Sequence, residues 1–256
     1  MLVTFSEPTW GQVQVTEFER IAVISPHFDD AAMGAGNLLL SYPGSTVVTV
    51  YASAPTHYPT PPSEWDALGG FESGDDVVAL RRIEDQRAMD LLGADHIWME
   101  FVDNQYLDKT ERSTPAEVAS SLETVLRALH PTAIFLPFGL GNPDHDVTHD
   151  AGLIARESML DVAWFCYEDH GYKHIPGLLS WRVSKLLRNK PWATPAMVPT
   201  VANEELKREA IWCYESQIPP LERDHALSER ISAHVPEQFW RLADPPKGWE
   251  GLSELI

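Results

Sequence analysis

Two short polar clusters carry the residue types that bind metal ions and transfer protons. They lie at residues 25–30 and 141–145, and each follows an apolar run of the kind that forms a buried strand. The clusters supply two imidazoles and three carboxylates: His27, Asp29, Asp30, Asp144 and His145. In open α/β sheets, ligands bind at the carboxyl ends of the strands. The placement of the clusters therefore predicts a metal site at one edge of a sheet.

A single metal ion with an open coordination position needs about three nitrogen or oxygen ligands from the protein. His27 and Asp30 are three residues apart on a predicted strand-to-helix turn, and His145 from another strand would complete a His-Asp-His set. The metal would lower the pKa of a water molecule in the open position. Asp29 is then left beside the ion as a carboxylate that could accept a proton from that water. This chemistry is metal-assisted hydrolysis.

Each cluster also has a purely structural interpretation. Aspartates at the start of a helix commonly cap it, so Asp29 or Asp30 could serve as an N-cap. The sequence Asn-Pro-Asp-His at 142–145 is by itself typical of a turn. Both interpretations stay open at this level.

The elements that must position these clusters alternate between strand and helix patterns. Apolar and β-branched runs predict strands at 21–25, 46–52, 97–101, 132–137, 162–168 and 181–187. Helical periodicity and capping signals predict helices at 31–41, 76–92, 115–129, from after 145 to 160, 203–217 and 221–235. Proline-rich loops are predicted at 53–75, either a lid or a surface excursion, and at 189–200. The alternation predicts a parallel sheet with helices on both faces.

Composition restricts the classes of partner. The chain has 256 residues and a net charge of −19, which argues against a nucleic-acid groove and against docking on anionic membranes. Cys166 and Cys213 are interpreted as free thiols, and residues 1–20 lack the pattern of a signal peptide. We therefore expect one domain over residues 1–256 in a cytoplasmic protein with no membrane or nucleic-acid partner. A homo-oligomer is compatible with the sequence.

The two clusters together resemble the paired motifs of the PIG-L/LmbE-like family of N-acyl-sugar deacetylases. Residues 26–30, Pro-His-Phe-Asp-Asp, are similar to the family's Pro/Ala-His-Pro-Asp-Asp-Glu motif. Residues 142–145, Asn-Pro-Asp-His, are similar to its His-Pro-Asp-His motif. Weaker similarities occur at 82–93, 167–172 and 207–217.

This resemblance implies a Rossmann-like α/β sandwich with a mostly parallel sheet, helices on both faces and one bound zinc ion. It implies His27, Asp30 and His145 as the metal ligands. It also implies Asp29 as the general base and Asp144 as a residue that orients catalytic groups. Ligand chemistry alone would also admit Fe²⁺ or Co²⁺ in place of Zn²⁺.

Three residues depart from the family pattern. Phe28 replaces a proline and Ala31 replaces a glutamate, and neither change removes a ligand. More importantly, Asn142 stands where the family has a histidine that protonates or stabilises the developing oxyanion. An asparagine can donate a hydrogen bond to an oxyanion but cannot deliver a proton at neutral pH. His170, after the predicted strand 162–168, is the candidate for the missing acid; the alternative is a surface-loop histidine.

The function implied by the resemblance is zinc-dependent removal of an acyl group, expected to be acetyl, from an N-acylated amino sugar or glycoconjugate. Trp65, within the predicted loop 53–75, is the tryptophan to test for stacking on a sugar ring. One alternative is an amidase of the same family that acts on a thiol-sugar conjugate or an antibiotic intermediate. Another is a metal-binding protein with impaired catalysis, which Asn142 and Ala31 favour and Asp29 opposes.

Overall fold

The computed structural model describes residues 12–245. Within this range seven strands are formed, β1 to β7 in chain order: Ile21–Ser25, Thr46–Thr49, Asp95–Trp98, Ala133–Pro137, Ala163–Tyr167, Trp192–Ala196 and Phe239–Ala243. The same residues form the α-helices α1 to α9: Asp30–Ser41, Glu64–Leu68, Val77–Leu92, Pro115–Leu129, Pro143–Glu157, Leu178–Asn189, Glu204–Trp212, Ile218–His225 and Leu227–Ser232.

The strands form one mixed sheet in the order β3-β2-β1-β4-β5-β7-β6. The first five are parallel to one another, whereas β7 runs antiparallel to both β5 and β6. Strands β1, β4 and β5 are buried along their whole length, because helices cover both faces of the sheet. The fold is therefore a Rossmann-like α/β sandwich with a mostly parallel sheet, as predicted.

Successive residues of each central strand pack into different halves of the core, because side chains alternate across a sheet. Val23 of β1 packs in the cluster that includes residues of α1, α3 and α7. Ile24, the next residue, packs in the cluster that includes residues of α4, α5 and α6. The two apolar clusters hold the helical layers against the sheet and fix the positions of the strand ends.

The C-terminal half contains the main errors of the sequence prediction. Residues 181–187 were predicted to form a strand but lie within helix α6, whose buried face is formed by Arg182 and Leu186. The two buried positions are four residues apart, as in a helix, but one of them is an arginine, so the apolar pattern does not reveal this spacing. The Arg182 guanidinium bonds to the Gly139 carbonyl and to Asp146. The predicted loop 189–200 contains β6, and β7 was not predicted.

Smaller differences concern element boundaries. Residues 53–75 contain the short helix α2, which Ser63 caps by accepting a hydrogen bond from the backbone N–H of Asp66. The predicted helix 203–217 ends at Trp212, and the predicted helix 221–235 is divided between α8 and α9 at Ala226. Cys166 and Cys213 are free thiols, as predicted.

A single domain and the absence of a membrane partner are expected for the whole chain, but the structure describes only part of it. Residues 1–11 and 246–256 lie outside the described range, so a single domain over the full length stays a prediction. Among residues 12–245, no helix is both long enough and apolar enough to cross a bilayer.

Candidate metal centre and active site

The turn between β1 and α1 places the first polar cluster at the carboxyl edge of the sheet. Ser25 organises this turn: its hydroxyl donates to the His27 carbonyl at 2.6 Å and accepts from the Ala31 N–H at 3.0 Å. Asp29 occupies the N-cap position, but its side chain makes no capping hydrogen bond. Because Ser25 satisfies the helix start, the buried Asp29 carboxylate is left for other chemistry.

The turn between β4 and α5 places the second cluster beside the first. Asn142 caps α5, with its Oδ1 accepting from the Asp144 N–H at 2.8 Å. Gly141 precedes it with φ of 69°, and a Cβ at this position would lie 2.1 Å from the Tyr172 ring. Only glycine fits both the backbone conformation and this close approach. The turn interpretation therefore holds for Asn142, while its amide NH₂ group is not used by the cap.

The two turns bring three ligand-type side chains together: His27, Asp30 and His145. Asp30 Oδ2 lies 3.3 Å from His27 Nδ1 and 3.3 Å from His145 Nε2. One ligand atom from each of the three residues lies within 4.8 Å of the others. Two imidazole nitrogens and one carboxylate oxygen form a donor set that suits zinc and leaves a coordination position open. The side chains therefore fit a metal ion of this class.

A carboxylate holds the second nitrogen of each imidazole. Asp169 Oδ1 lies 2.5 Å from His145 Nδ1, and Asp144 Oδ2 lies 3.2 Å from His27 Nε2. Asp144 also accepts hydrogen bonds from the side chain and the backbone N–H of Asn104. Metal-binding histidines characteristically donate their other N–H to such partners, which fixes the ring orientation and the tautomer. This arrangement is the strongest geometric support for a metal centre.

Asp103 is a further carboxylate close to His27, next to the His27–Asp30–His145 group. Its Oδ2 lies 3.9 Å from His27 Nε2, so that His27, Asp103 and Asp144 form another group with metal-ligand atoms. That group would use the same His27 nitrogen that faces Asp144 in a hydrogen bond. In the His27–Asp30–His145 group, Nδ1 of His27 is available to the metal while its Nε2 keeps the hydrogen bond to Asp144, and we therefore favour this group as the metal site.

Burial and opposite charges perturb the acid–base behaviour of this cluster. Burial disfavours the charged form of His145, but the charge of Asp30 and the hydrogen bond to Asp169 outweigh it and raise the pKa to about 9. Burial likewise opposes charge on His27, yet Asp144 and Asp30 hold its pKa well above the usual value. Burial and then the neighbouring Asp30 carboxylate raise the pKa of Asp29 to about 7. An aspartate of this kind is suited to accept and release protons near neutral pH.

A cavity of about 200 Å³ opens beside the cluster. Asp29 and Asn142 line it, whereas Asp144 lies behind His27. Its wall is mixed: the apolar and aromatic side chains are Phe28, Met33, Trp65, Tyr172 and Leu221, and the further polar ones include Arg81, Asp103, Gln105 and Gln217. His225 also lines this cavity, although no motif in the sequence indicates that position.

His170 lies elsewhere. It does not line the cavity of the metal cluster but a much smaller one, beside Lys207 and Arg230. Burial, followed by the charges of Lys207 and Lys173, lowers the pKa of His170 to about 3. The imidazole is therefore neutral at physiological pH.

Sequence reasoning assigned no role to Asp169, Asp103 or His225. Asp169 lies two residues after the end of β5, which neighbours β4, so its position at the same sheet edge was a usable signal. Asp103 lies shortly after β3 in the same way. His225 lies at the end of α8, and no local pattern relates that position to the sheet edge.

Contacts between α3 and the segment before α8 fix the far wall of the cavity. Tyr214 donates to Asp85 at 2.9 Å, and Ser216 donates to Glu84 through both its N–H and its hydroxyl at 2.7 Å. Gln217, at the start of α8, accepts from Trp65 Nε1 at 2.9 Å. Residues 214–217 therefore hold both α8 and the Trp65 side chain at the cavity.

Comparison with known proteins identifies relatives by family and by fold. The family model PIG-L, GlcNAc-PI de-N-acetylase, matches residues 22–156, which include both polar clusters but neither Asp169 nor His225. A search of curated proteins gives no match.

Solved structures of deacetylases share the fold. A deacetylase–bog complex from the teicoplanin biosynthesis pathway is 24% identical with a TM-score of 0.71, covering 90% of this chain and 100% of that one. The zinc-inhibited form of teicoplanin deacetylase Orf2 is 23% identical with the same TM-score and the same coverage. N,N'-diacetylchitobiose deacetylase from Pyrococcus horikoshii is 19% identical with a TM-score of 0.54, covering 93% of this chain and 89% of that one.

Proposed function

Because the chain belongs to the PIG-L family of de-N-acetylases, we propose that it is a zinc-dependent hydrolase of N-acylated amino sugars or glycoconjugates. The acyl group removed is expected to be acetyl. The observation that carries this proposal is the His27–Asp30–His145 group, with a carboxylate behind each imidazole and Asp29 beside it. When bound there, zinc supplies a Lewis acid that activates water and polarises the amide carbonyl.

Asp29 accepts the proton of the attacking water in this proposal. Its side chain is buried, lines the cavity and is not used to cap α1. The raised pKa makes it a stronger base than an exposed aspartate, so proton transfer from water is favoured. Asp144 acts indirectly by holding the imidazole of His27 in position.

Asn142 stabilises the oxyanion that forms when water attacks the amide. Its Oδ1 is committed to the helix cap and its side chain is also hydrogen-bonded to Tyr172, so the remaining N–H of the NH₂ group is the part able to donate into the cavity. The N-terminus of α5 adds a partial positive charge at the same place. A preorganised donor of this kind stabilises the transition state by roughly 3–4 kcal/mol.

The relatives and the cavity wall support this substrate class. The teicoplanin relative is a deacetylase of the teicoplanin biosynthesis pathway, and the Pyrococcus enzyme is an N,N'-diacetylchitobiose deacetylase. In this chain Trp65 and Tyr172 offer aromatic surfaces beside the metal group, which suits a sugar ring. The teicoplanin relatives also favour a second candidate within the same chemistry, namely deacylation of an antibiotic intermediate.

The test is to measure metal content and amine release with a panel of N-acyl sugars. We expect purified protein to bind about one zinc per chain and to release amine from at least one N-acetyl amino sugar. His145→Ala should lose the metal, and the exposed His174→Ala is the matched control that should retain it. Unchanged zinc content in His145→Ala would exclude the metal assignment. Full zinc content without amine release from any substrate would favour the catalytically impaired metal-binding protein.

A further inference from the structure

Hydrolysis of an amide requires a proton donor for the departing nitrogen, because an unprotonated amine anion is too basic to leave. Asn142 occupies the position before the Pro-Asp-His sequence and has no proton to give at neutral pH. His27 and His145 are assigned to the metal, with their second nitrogens held by carboxylates. A different group must therefore protonate the amine.

We propose that His225 is this acid and that it protonates the departing amine of the N-acyl substrate. The inference rests on the deacetylase function proposed above. Among residues 12–245, His225 is the one imidazole on the cavity wall that does not belong to the metal group.

Its neighbours hold the ring on the wall of this cavity. The His225 imidazole packs edge-on against Tyr172 with ring centroids 4.9 Å apart, and Tyr172 packs edge-on against His145 at 5.3 Å. Tyr172 is also hydrogen-bonded to the side chain of Asn142. One continuous row of contacts therefore joins His225 to the oxyanion donor and to a metal ligand.

One ring nitrogen of the His225 imidazole is available to carry the proton that is transferred. A hydrogen bond to the backbone of Gly171 uses one ring nitrogen, and the ring lies against that glycine closely enough that a Cβ there would be 3.4 Å from it. An imidazole has two ring nitrogens, so the other remains able to carry a proton. Burial lowers the pKa of His225; Asp224 and the hydrogen bond to Gly171 oppose this shift, whereas Arg230 and His145 add to it. Its protonated form is therefore a stronger acid than free histidine.

The proton balance of the reaction is complete with these groups. Water adds to the carbonyl carbon and gives one proton to Asp29. The C–N bond then breaks, its electron pair stays on nitrogen, and His225 supplies the proton that makes the neutral amine. The products are the free amine and the carboxylic acid, which keeps the second proton of the water and then loses it to solvent to become the carboxylate. Asp29 returns its proton to solvent, and His225 regains one from solvent.

The experiment compares substrates whose leaving groups differ in their need for a proton. The amide substrate is the N-acetyl amino sugar that the wild type hydrolyses fastest, and the ester is p-nitrophenyl acetate, whose phenolate leaves without protonation. His225→Gln keeps hydrogen-bonding groups but cannot act as the acid. We expect kcat for the amide to fall ~10²–10⁴-fold. The kcat for the ester should fall much less, and both the zinc content and the thermal stability of the variant should be unchanged. The exposed His174→Gln is the matched control.

Two results would overturn the assignment of His225. An equal loss on amide and ester would mean that His225 only maintains the shape of the cavity. Undiminished amide hydrolysis in His225→Gln would mean that Asp29 itself returns its proton to the amine. A wild-type protein that hydrolyses no N-acyl amino sugar would instead refute the proposed function.

Discussion

Replacing Asp169 should weaken metal binding even though this residue is not a ligand. Asp169 is 1% exposed, and its Oδ1 lies 2.5 Å from His145 Nδ1. In Asp169→Ala the Nδ1–H loses its acceptor inside a buried site, and nothing fixes the tautomer that presents Nε2 to the metal. Loss of such a partner typically costs 10–100-fold in metal affinity. A factor of this size corresponds to about 1.4–2.7 kcal/mol.

The assay is competition between the protein and a chromogenic zinc chelator, with circular dichroism as a check of folding. Asp169→Asn should lose less affinity than Asp169→Ala, because an amide oxygen can still accept from Nδ1–H. Glu168→Ala is the matched control, since the neighbouring Glu168 contacts Trp240 and Lys173 rather than the metal group. Wild-type zinc affinity in a folded Asp169→Ala protein would refute the role assigned to this carboxylate. An equal loss in Glu168→Ala would refute it as well.

Three further predictions follow from single contacts. Asp29→Asn should keep its zinc and lose ~10²–10⁴-fold in kcat, whereas loss of zinc would make Asp29 a ligand. Gly141→Ala should destabilise the fold by at least about 1–2 kcal/mol, since φ is 69° and Tyr172 blocks a Cβ; an unchanged melting temperature would contradict this. Burial raises the pKa of Asp85 to about 6, so its contribution to stability falls as pH rises from about 4 to 6. Asp85→Asn should therefore weaken the pH dependence of the free energy of unfolding, measured with urea, and raise this free energy by up to about 3 kcal/mol at pH 8. A variant that is less stable than the wild type at pH 8 would contradict this prediction.

The parallel half of the fold was predictable because its sequence pattern and its structure agree. Strands β1, β4 and β5 are short apolar runs buried on both faces, and each is followed by polar residues at the same sheet edge. The same regularity predicts from the sequence that His27, Asp30 and His145 lie close together. Because parallel strands end at the same edge of the sheet, residues that follow different strands in the sequence come together in one site.

The remainder depends on contacts between distant parts of the chain. Helix α6 was mistaken for a strand because Arg182 is buried, and its partners Gly139 and Asp146 lie on other elements. His225 lies at the cavity at the end of α8, and hydrogen bonds from Tyr214 and Ser216 hold the segment before α8 against α3. No local periodicity reports such tertiary pairings, so the second wall of the site could not be derived from the sequence.

The insertion of β7 between β5 and β6 has a consequence for biosynthesis. During translation β5 and β6 emerge before residues 239–243, so the edge of β5 remains unpaired until that late segment leaves the ribosome. An open strand edge of this kind invites pairing with other chains. Nascent or truncated forms that stop before β7 should therefore be prone to self-association, even though they already contain both polar clusters.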